Sequence, residues 1–161
     1  MSSTSNNKLP PFFHSDRIQF IKTIKSKKRA FDTLTALLIK GQKEVTKNQV
    51  FDALIEREKI GNTSVGNGIA IPKAHLPITN PRVAMLSLKN GLELGAADKK
   101  AVRLFIAILV PDKQRDQYHM VLSTLNQKLF IDGIPDKILD SNNPSLLVKH
   151  FETILFDETS T

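Results

Sequence analysis

The chain predicts a layered α/β domain, and three observations point there. Leu104-Phe105-Ile106-Ala107-Ile108-Leu109-Val110 is a nearly continuous apolar run, which suits a central strand buried on both faces. Helical-period apolar stripes lie both before and after it, and shorter β-branched segments stand between. The 161 residues favour one domain with a proper core, and 40% hydrophobic with 24% charged residues is ordinary globular composition.

The elements follow in order. Residues 1–11 are polar and then proline-rich and read as a tail; order is expected to begin near Phe12 and Phe13. Ile18-Gln19-Phe20-Ile21 is compatible with a strand or with a lead-in to the first helix. Ser26 is placed to cap a helix running to about Lys40, with Ala30, Phe31, Leu34, Leu37 and Leu38 on one face and Gly41 as its stop. A second helix starts after Thr46, with Gln49 three residues on as a capping box requires, and buries Val50, Phe51, Leu54 and Ile55.

Three apolar runs then predict strands at Gly68–Ile71, Val83–Leu88 and Val102–Val110. Lys89-Asn90-Gly91 reads as a turn, followed by a short strand at Leu92 and Leu94 and a bend at 95–98. From Gln114 to Leu129, Tyr118, Val121, Leu122, Leu125 and Leu129 keep helical period; His119 lies about 100° round from Tyr118, beside the stripe. Asp132-Gly133 ends that helix, residues 134–139 make a short helix at best, and Asn143-Pro144 opens a last one that buries Leu147, Val148, Phe151, Ile154 and Leu155.

Composition narrows the chemistry. With no cysteine, disulfides, thiolate catalysis and cysteine zinc sites are excluded. His14, His75, His119 and His150 are scattered, so neither a metal nor a cofactor is expected. No membrane span or signal-peptide core is visible, so membrane insertion is not expected and the cytoplasm is the expected compartment. The first 60 residues hold 12 basic against 6 acidic side chains, densest at Lys22, Lys25, Lys27, Lys28 and Arg29. Such a run can mark a nucleic-acid surface. With few aromatics and no nucleic-acid motif, it reads as a solvated basic face, and nucleic acid is not an expected partner.

The chemistry is expected in Gly61-Asn62-Thr63-Ser64-Val65-Gly66-Asn67-Gly68-Ile69-Ala70-Ile71-Pro72-Lys73-Ala74-His75, which carries three of the chain's seven glycines. Glycine lets amides approach a ligand, Thr63 and Ser64 can donate to an oxyanion, and Pro72 removes a ladder donor just before two nitrogen side chains. Neither a Walker loop nor a dinucleotide fingerprint is present, and an ordinary loop leading into a strand has the same composition. Arg57, near the end of the second helix, is placed either to pair with a surface carboxylate or to reach into this stretch.

From Ser26-Lys27-Lys28-Arg29-Ala30 through Val50–Gly61, with its Arg57-Glu58-Lys59-Ile60-Gly61, to Gly66-Asn67-Gly68-Ile69-Ala70-Ile71-Pro72 and Leu109-Val110-Pro111, the sequence resembles the enzyme IIA domain of the bacterial sugar phosphotransferase system. The match is to the nitrogen-regulatory branch of the fructose/mannitol type, over roughly residues 12–156, leaving 157–161 as a tail. The resemblance implies a mixed central sheet flanked by helices on both faces, a three-layer sandwich. It also implies a histidine directly after Ile-Pro that accepts phosphate from a histidine-containing phosphocarrier protein, and a second, supporting histidine in the helix after Leu-Val-Pro. Regulated partners such as transporters or sensor kinases are implied in the same way.

Both histidine positions depart from the pattern: Lys73 stands at the first and Tyr118 at the second. A neutral imidazole is a good phosphoryl acceptor near pH 7, whereas an ordinary lysine, with pKa about 10.4, is protonated. If the chain stays extended past Pro72, His75 lies on the same side as Lys73, about 6–7 Å along. Two readings follow. In one, this is a regulatory protein with an altered site, acting by protein binding, with Arg57, Thr63 and Ser64 still able to hold an anion. In the other, it is a phosphocarrier with a relocated acceptor, His75, steadied by His119 or Lys73.

Overall fold

The computed structural model describes residues 13–156. The tails expected at 1–11 and 157–161, and Phe12, lie outside the described residues. Elements follow as β1 (Ile18–Ile21), α1 (Lys27–Leu38), α2 (Lys47–Ile60), β2 (Ser64–Gly66), β3 (Ile69–Ala70), β4 (Lys73–Leu76), β5 (Arg82–Leu92), β6 (Val102–Pro111), α3 (Arg115–Lys128), α4 (Ile134–Leu139) and α5 (Pro144–Phe156). Two short 3-10 turns, Ser15–Arg17 and Asp112–Gln114, precede β1 and α3.

The six strands form one mixed sheet in the order β1-β5-β6-β3-β2, with β4 also on β6. β5 and β6 run antiparallel, with Leu86 opposite Phe105. β1 extends the sheet parallel to β5, with Ile18 against Met85. On the other side β6 is met in turn by β3 (Ile69 against Leu104) and β4 (Lys73 against Ile108), both parallel.

β6 shows why the sheet is a middle layer. Phe105, Ala107 and Leu109 pack with α1 and α2, while Leu104, Ile106, Ile108 and Val110 pack with α3, α4 and α5. The period of two therefore alternates between two apolar cores, each fully buried side chain contributing about 1.5–3 kcal/mol. Ring pairs close both layers: Phe31 meets Phe105 edge-on at 6.5 Å, and Phe13 stacks on Phe151 at 5.7 Å.

Local chemistry sets the helix ends. Ser26 accepts from the Arg29 amide at the start of α1, and Gly41 follows at φ +71°. Thr46 and Gln49 make both bonds of a capping box on α2. Asn143 Oδ1 accepts from the Leu146 amide at 2.8 Å on α5. Among the described residues no helix is long and apolar enough to cross a membrane.

Residues 18–21, compatible by sequence with a strand or a helix lead-in, form a strand. Two expectations need correction. Lys89-Asn90-Gly91 is not a turn: β5 runs through it to Leu92, and its register against β6 shifts between Ser87 and Leu92. Gly91, at φ +72°, takes up that irregularity, and a Cβ there would meet the Ala101 methyl at 2.9 Å. Leu94 lies past the strand. Pro72, for its part, interrupts the edge strand without ending it, because β4 resumes on the same partner.

Candidate functional site

Pro72 lacks an amide to donate, but its carbonyl accepts from the Ile108 amide at 2.9 Å, so the chain re-enters the sheet at once. Burial then alternates along β4. Ala74 and Leu76 enter the core beneath α1 and α2. Lys73 and His75, in register with Ile108 and Val110, face the other side. The extended path thus sets them next to one another on one face, at the end of β6 where the chain leaves the sheet.

The charges around them are mostly positive. Lys73 is half-buried, and burial, followed by repulsion from Arg57, holds its ammonium below the usual lysine range. His75 is exposed at the rim, yet partial desolvation, and next Arg115, hold its imidazole below its ordinary value; Asp112 opposes this and Lys73 adds to it. His75 makes no hydrogen bond among the described residues. Tyr118, 3% exposed, packs in the same core as Ile108 and Val110, and burial raises its phenol pKa, so it stays neutral. His119, one residue on, is exposed on α3.

Of the other expected residues, Arg57 and Thr63 are tied into hydrogen bonds within the chain. Arg57 donates from Nη1 to the Gly61 carbonyl at 3.0 Å, finishing the end of its own helix, and forms no ion pair with a surface carboxylate among the described residues. Thr63 donates to Glu58 Oε1 at 2.6 Å, and the other Glu58 oxygen takes Lys27 Nζ at 3.0 Å. The Ser64 hydroxyl is buried without a hydrogen-bond partner among the described residues.

Gly66-Asn67-Gly68, at φ +90°, +58° and +79°, is the turn of the β2–β3 hairpin. The Asn67 amide donates to Asp98 at 2.8 Å, and the Gly68 carbonyl accepts from Arg103 and Leu104. The Asn67 amide, then that of Lys100, holds the Asp98 carboxyl below the usual range. This turn therefore sits where the chain enters β6, while Lys73 sits near its exit. Thr63 does return to the neighbourhood, its carbonyl accepting from the Ile71 amide at 2.9 Å.

Lys73, His75, Arg57 and Tyr118 are thus brought to one end of the sheet, joined by Arg115 and Asp112, which sequence reasoning missed. A signal for the latter pair existed: they are among the first polar residues past the carboxyl end of the central strand, where open α/β sheets place ligands. Glu58, which fixes Thr63 and Lys27, was also missed. Chemically, the arrangement offers two guanidinium groups, an ammonium and a neutral imidazole, a set suited to a small anion.

A family model for the phosphoenolpyruvate-dependent sugar phosphotransferase system, EIIA 2, matches residues 11–153. The chain belongs to this EIIA 2 family. A nitrogen regulatory protein homolog from Haemophilus influenzae is 34% identical over 140 residues, covering 84% of this chain and 85% of the relative. The crystal structure of nitrogen regulatory protein IIA-Ntr from Neisseria meningitidis superposes with a TM-score of 0.79 at 25% identity, covering 86% of this chain and 94% of that one. The complex of enzyme IIAMtl with phosphorylated enzyme IIBMtl from Escherichia coli contributes a fold match alone, with a TM-score of 0.69 at 20% identity over 86% of this chain and 95% of that one. The mixed sheet between two helical layers is therefore the EIIA 2 fold.

Proposed function

We propose that this chain is a regulatory EIIA 2 protein that acts by binding partner proteins, and that Lys73 occupies the place where the family pattern puts its phospho-accepting histidine. The observation that carries the reading is the strand residue directly after Pro72: an amine, beside Arg57, on the face of β4 shared with His75. A protonated amine has no lone pair with which to attack phosphorus. A lowered pKa enlarges the neutral fraction but leaves a group that differs from imidazole in reach and geometry. The site then presents a constant positive surface in place of one that changes sign with phosphorylation. Its partners would be proteins that dock on that surface, the histidine phosphocarrier among them, together with regulated targets such as a transporter or sensor kinase.

A second reading has a specific observation in its favour. His75 lies two residues along on the same face and is held towards its neutral form, with Arg115 and Lys73 near enough to act on its charge. In that reading an imidazole nitrogen of His75 bonds to phosphorus as the carrier's P–N bond breaks, and the cations offset the phosphoryl oxygens.

Intact-mass analysis separates the two. The full chain and His75→Ala would be incubated with phosphoenolpyruvate, enzyme I and the phosphocarrier, and kept alkaline because phosphohistidine is acid-labile. A family member with its histidine intact would be phosphorylated in parallel as the positive control. The expected result is no adduct on either protein. An adduct present in wild type and lost in His75→Ala would replace the proposal with the phosphocarrier reading.

A further inference from the structure

The entry end of β6 carries a second cationic site that the family reading does not use. A cavity of about 480 Å³ opens there between the sheet and the link from α4 to α5. Phe20 and Lys22 reach it from β1 and the residue beyond, Lys89 from β5 and Arg103 from β6, while Asp140 and Asn142 line its roof.

The residues are placed by the backbone. Alternation along β1 puts Phe20 and Lys22 on one face, with Phe20 in register with Ser87. The irregularity at Gly91 makes room for the Arg103 stem: a Cβ on Gly91 would lie 3.5 Å from Arg103 Cγ. The roof is anchored as well, since Ser141 Oγ contacts His150 Nδ1 at 2.8 Å and Asn143 caps α5. These bonds fix the link that roofs the cavity, and its volume lies within the range of small-molecule sites, roughly 300–1,000 Å³.

Its charges are uncompensated. Lys22, Lys89 and Arg103 make no side-chain hydrogen bond or ion pair among the described residues, in contrast to Lys27 and Lys59, which hold carboxylates at 3.0 and 3.2 Å. Asp140 is a single carboxylate against three cations and lies within ion-pair distance of none. Phosphate oxygens suit such a set, above all the planar fork of an arginine. Inorganic phosphate would use the cations and nothing else. Phe20, 37% exposed, adds an aromatic wall, and Asp140 with Asn142 adds acceptors for N–H groups.

We propose that this cavity binds a nucleoside phosphate, its phosphates across Lys22, Lys89 and Arg103, its base against Phe20 and its amino edge at Asp140 and Asn142. The site stands at the opposite end of β6 from Lys73 and is independent of what happens there.

The test is calorimetric titration of the full chain with ATP, adenosine and inorganic phosphate, on wild type, Arg103→Ala, Phe20→Ala and Lys73→Met, with thermal melts to confirm folding. ATP is expected to bind at least about tenfold more tightly than phosphate, and adenosine to bind undetectably. Arg103→Ala should weaken ATP about tenfold or more, Phe20→Ala should weaken ATP but not phosphate, and Lys73→Met, which removes a cation from the exit site only, should leave the Arg103-dependent ATP binding in place. If a variant misfolds, amide shifts on wild type with ATP, expected at 20–22, 89, 103 and 140–142, locate the binding site without it. No binding of ATP at millimolar concentration, equal binding of phosphate and ATP, or loss of binding in Lys73→Met with amide shifts confined to 73–76 would overturn the proposal.

Discussion

The two ends of β6 both gather cations, yet the fold treats them differently. At the exit, Lys73 is half-buried and crowded by Arg57, so its charge is held at a cost. At the entry, Lys22, Lys89 and Arg103 are exposed around an open cavity, and water screens them. The edge strand makes the difference. β4 has its apolar positions, Ala74 and Leu76, buried in the α1–α2 core, which draws the adjoining Lys73 part-way out of solvent.

The sharpest way to break this contrast is at Glu58, whose side chain is 6% exposed and ties Lys27 on α1 to Thr63 beside the exit site. Glu58→Ala is expected to cost about 1–3 kcal/mol by urea unfolding, because it leaves the buried Thr63 hydroxyl without its acceptor and breaks the tie to Lys27. An unchanged midpoint would mean the link does not brace the exit end.

Next in size is Lys73→Met, expected to stabilise the protein by on the order of 1 kcal/mol at neutral pH, about 2–4 °C in Tm. The sign follows from linkage. A lysine whose folded pKa is lowered penalises folding wherever both states are protonated, and the penalty fades as pH rises through the folded and then the unfolded value. The gain should therefore shrink as pH rises towards the unfolded value of about 10.4 and be gone above it. A variant less stable than wild type would show that Lys73 has a compensating partner.

Arg103→Ala, at the solvated end, should lie within about 0.5 kcal/mol of wild type. Smaller still is the effect of His75. Its lowered pKa adds nothing above the unfolded value of about 6.5, and disfavours folding as pH falls below it. Wild type should thus lose slightly more stability than His75→Gln between pH 7 and 5; the opposite trend would mean a carboxylate, Asp112, dominates the ring.

What the sequence revealed divides along similar lines. The starts of α1, α2 and α5 were legible because Ser26, Thr46 with Gln49, and Asn143 act within three residues of themselves. β6 was legible from its continuous apolar run. β5 past Ser87 was misread because a left-handed glycine serves a bulge as well as a turn, and which one it serves depends on a partner strand elsewhere in the chain. β2 and β4 are too short to show a period, and β4 exists because β6 pairs with it. At the candidate site, Lys73, His75 and the burial of Tyr118 could be placed from Pro72 and the helical stripe. The engagement of the glycine turn with Asp98, 31 residues away from Asn67, could not.

The central claim is that the residue at position 73 decides whether this domain takes up phosphate, and Lys73→His tests it most directly. Wild type and Lys73→His would be incubated side by side with phosphoenolpyruvate, enzyme I and the phosphocarrier and weighed intact under alkaline conditions. The expected result is no adduct on wild type and one acid-labile phosphoryl group on Lys73→His. A phosphoryl group on wild type, at the same extent as on the variant, would contradict the account and place the acceptor elsewhere, with His75 the first residue to test.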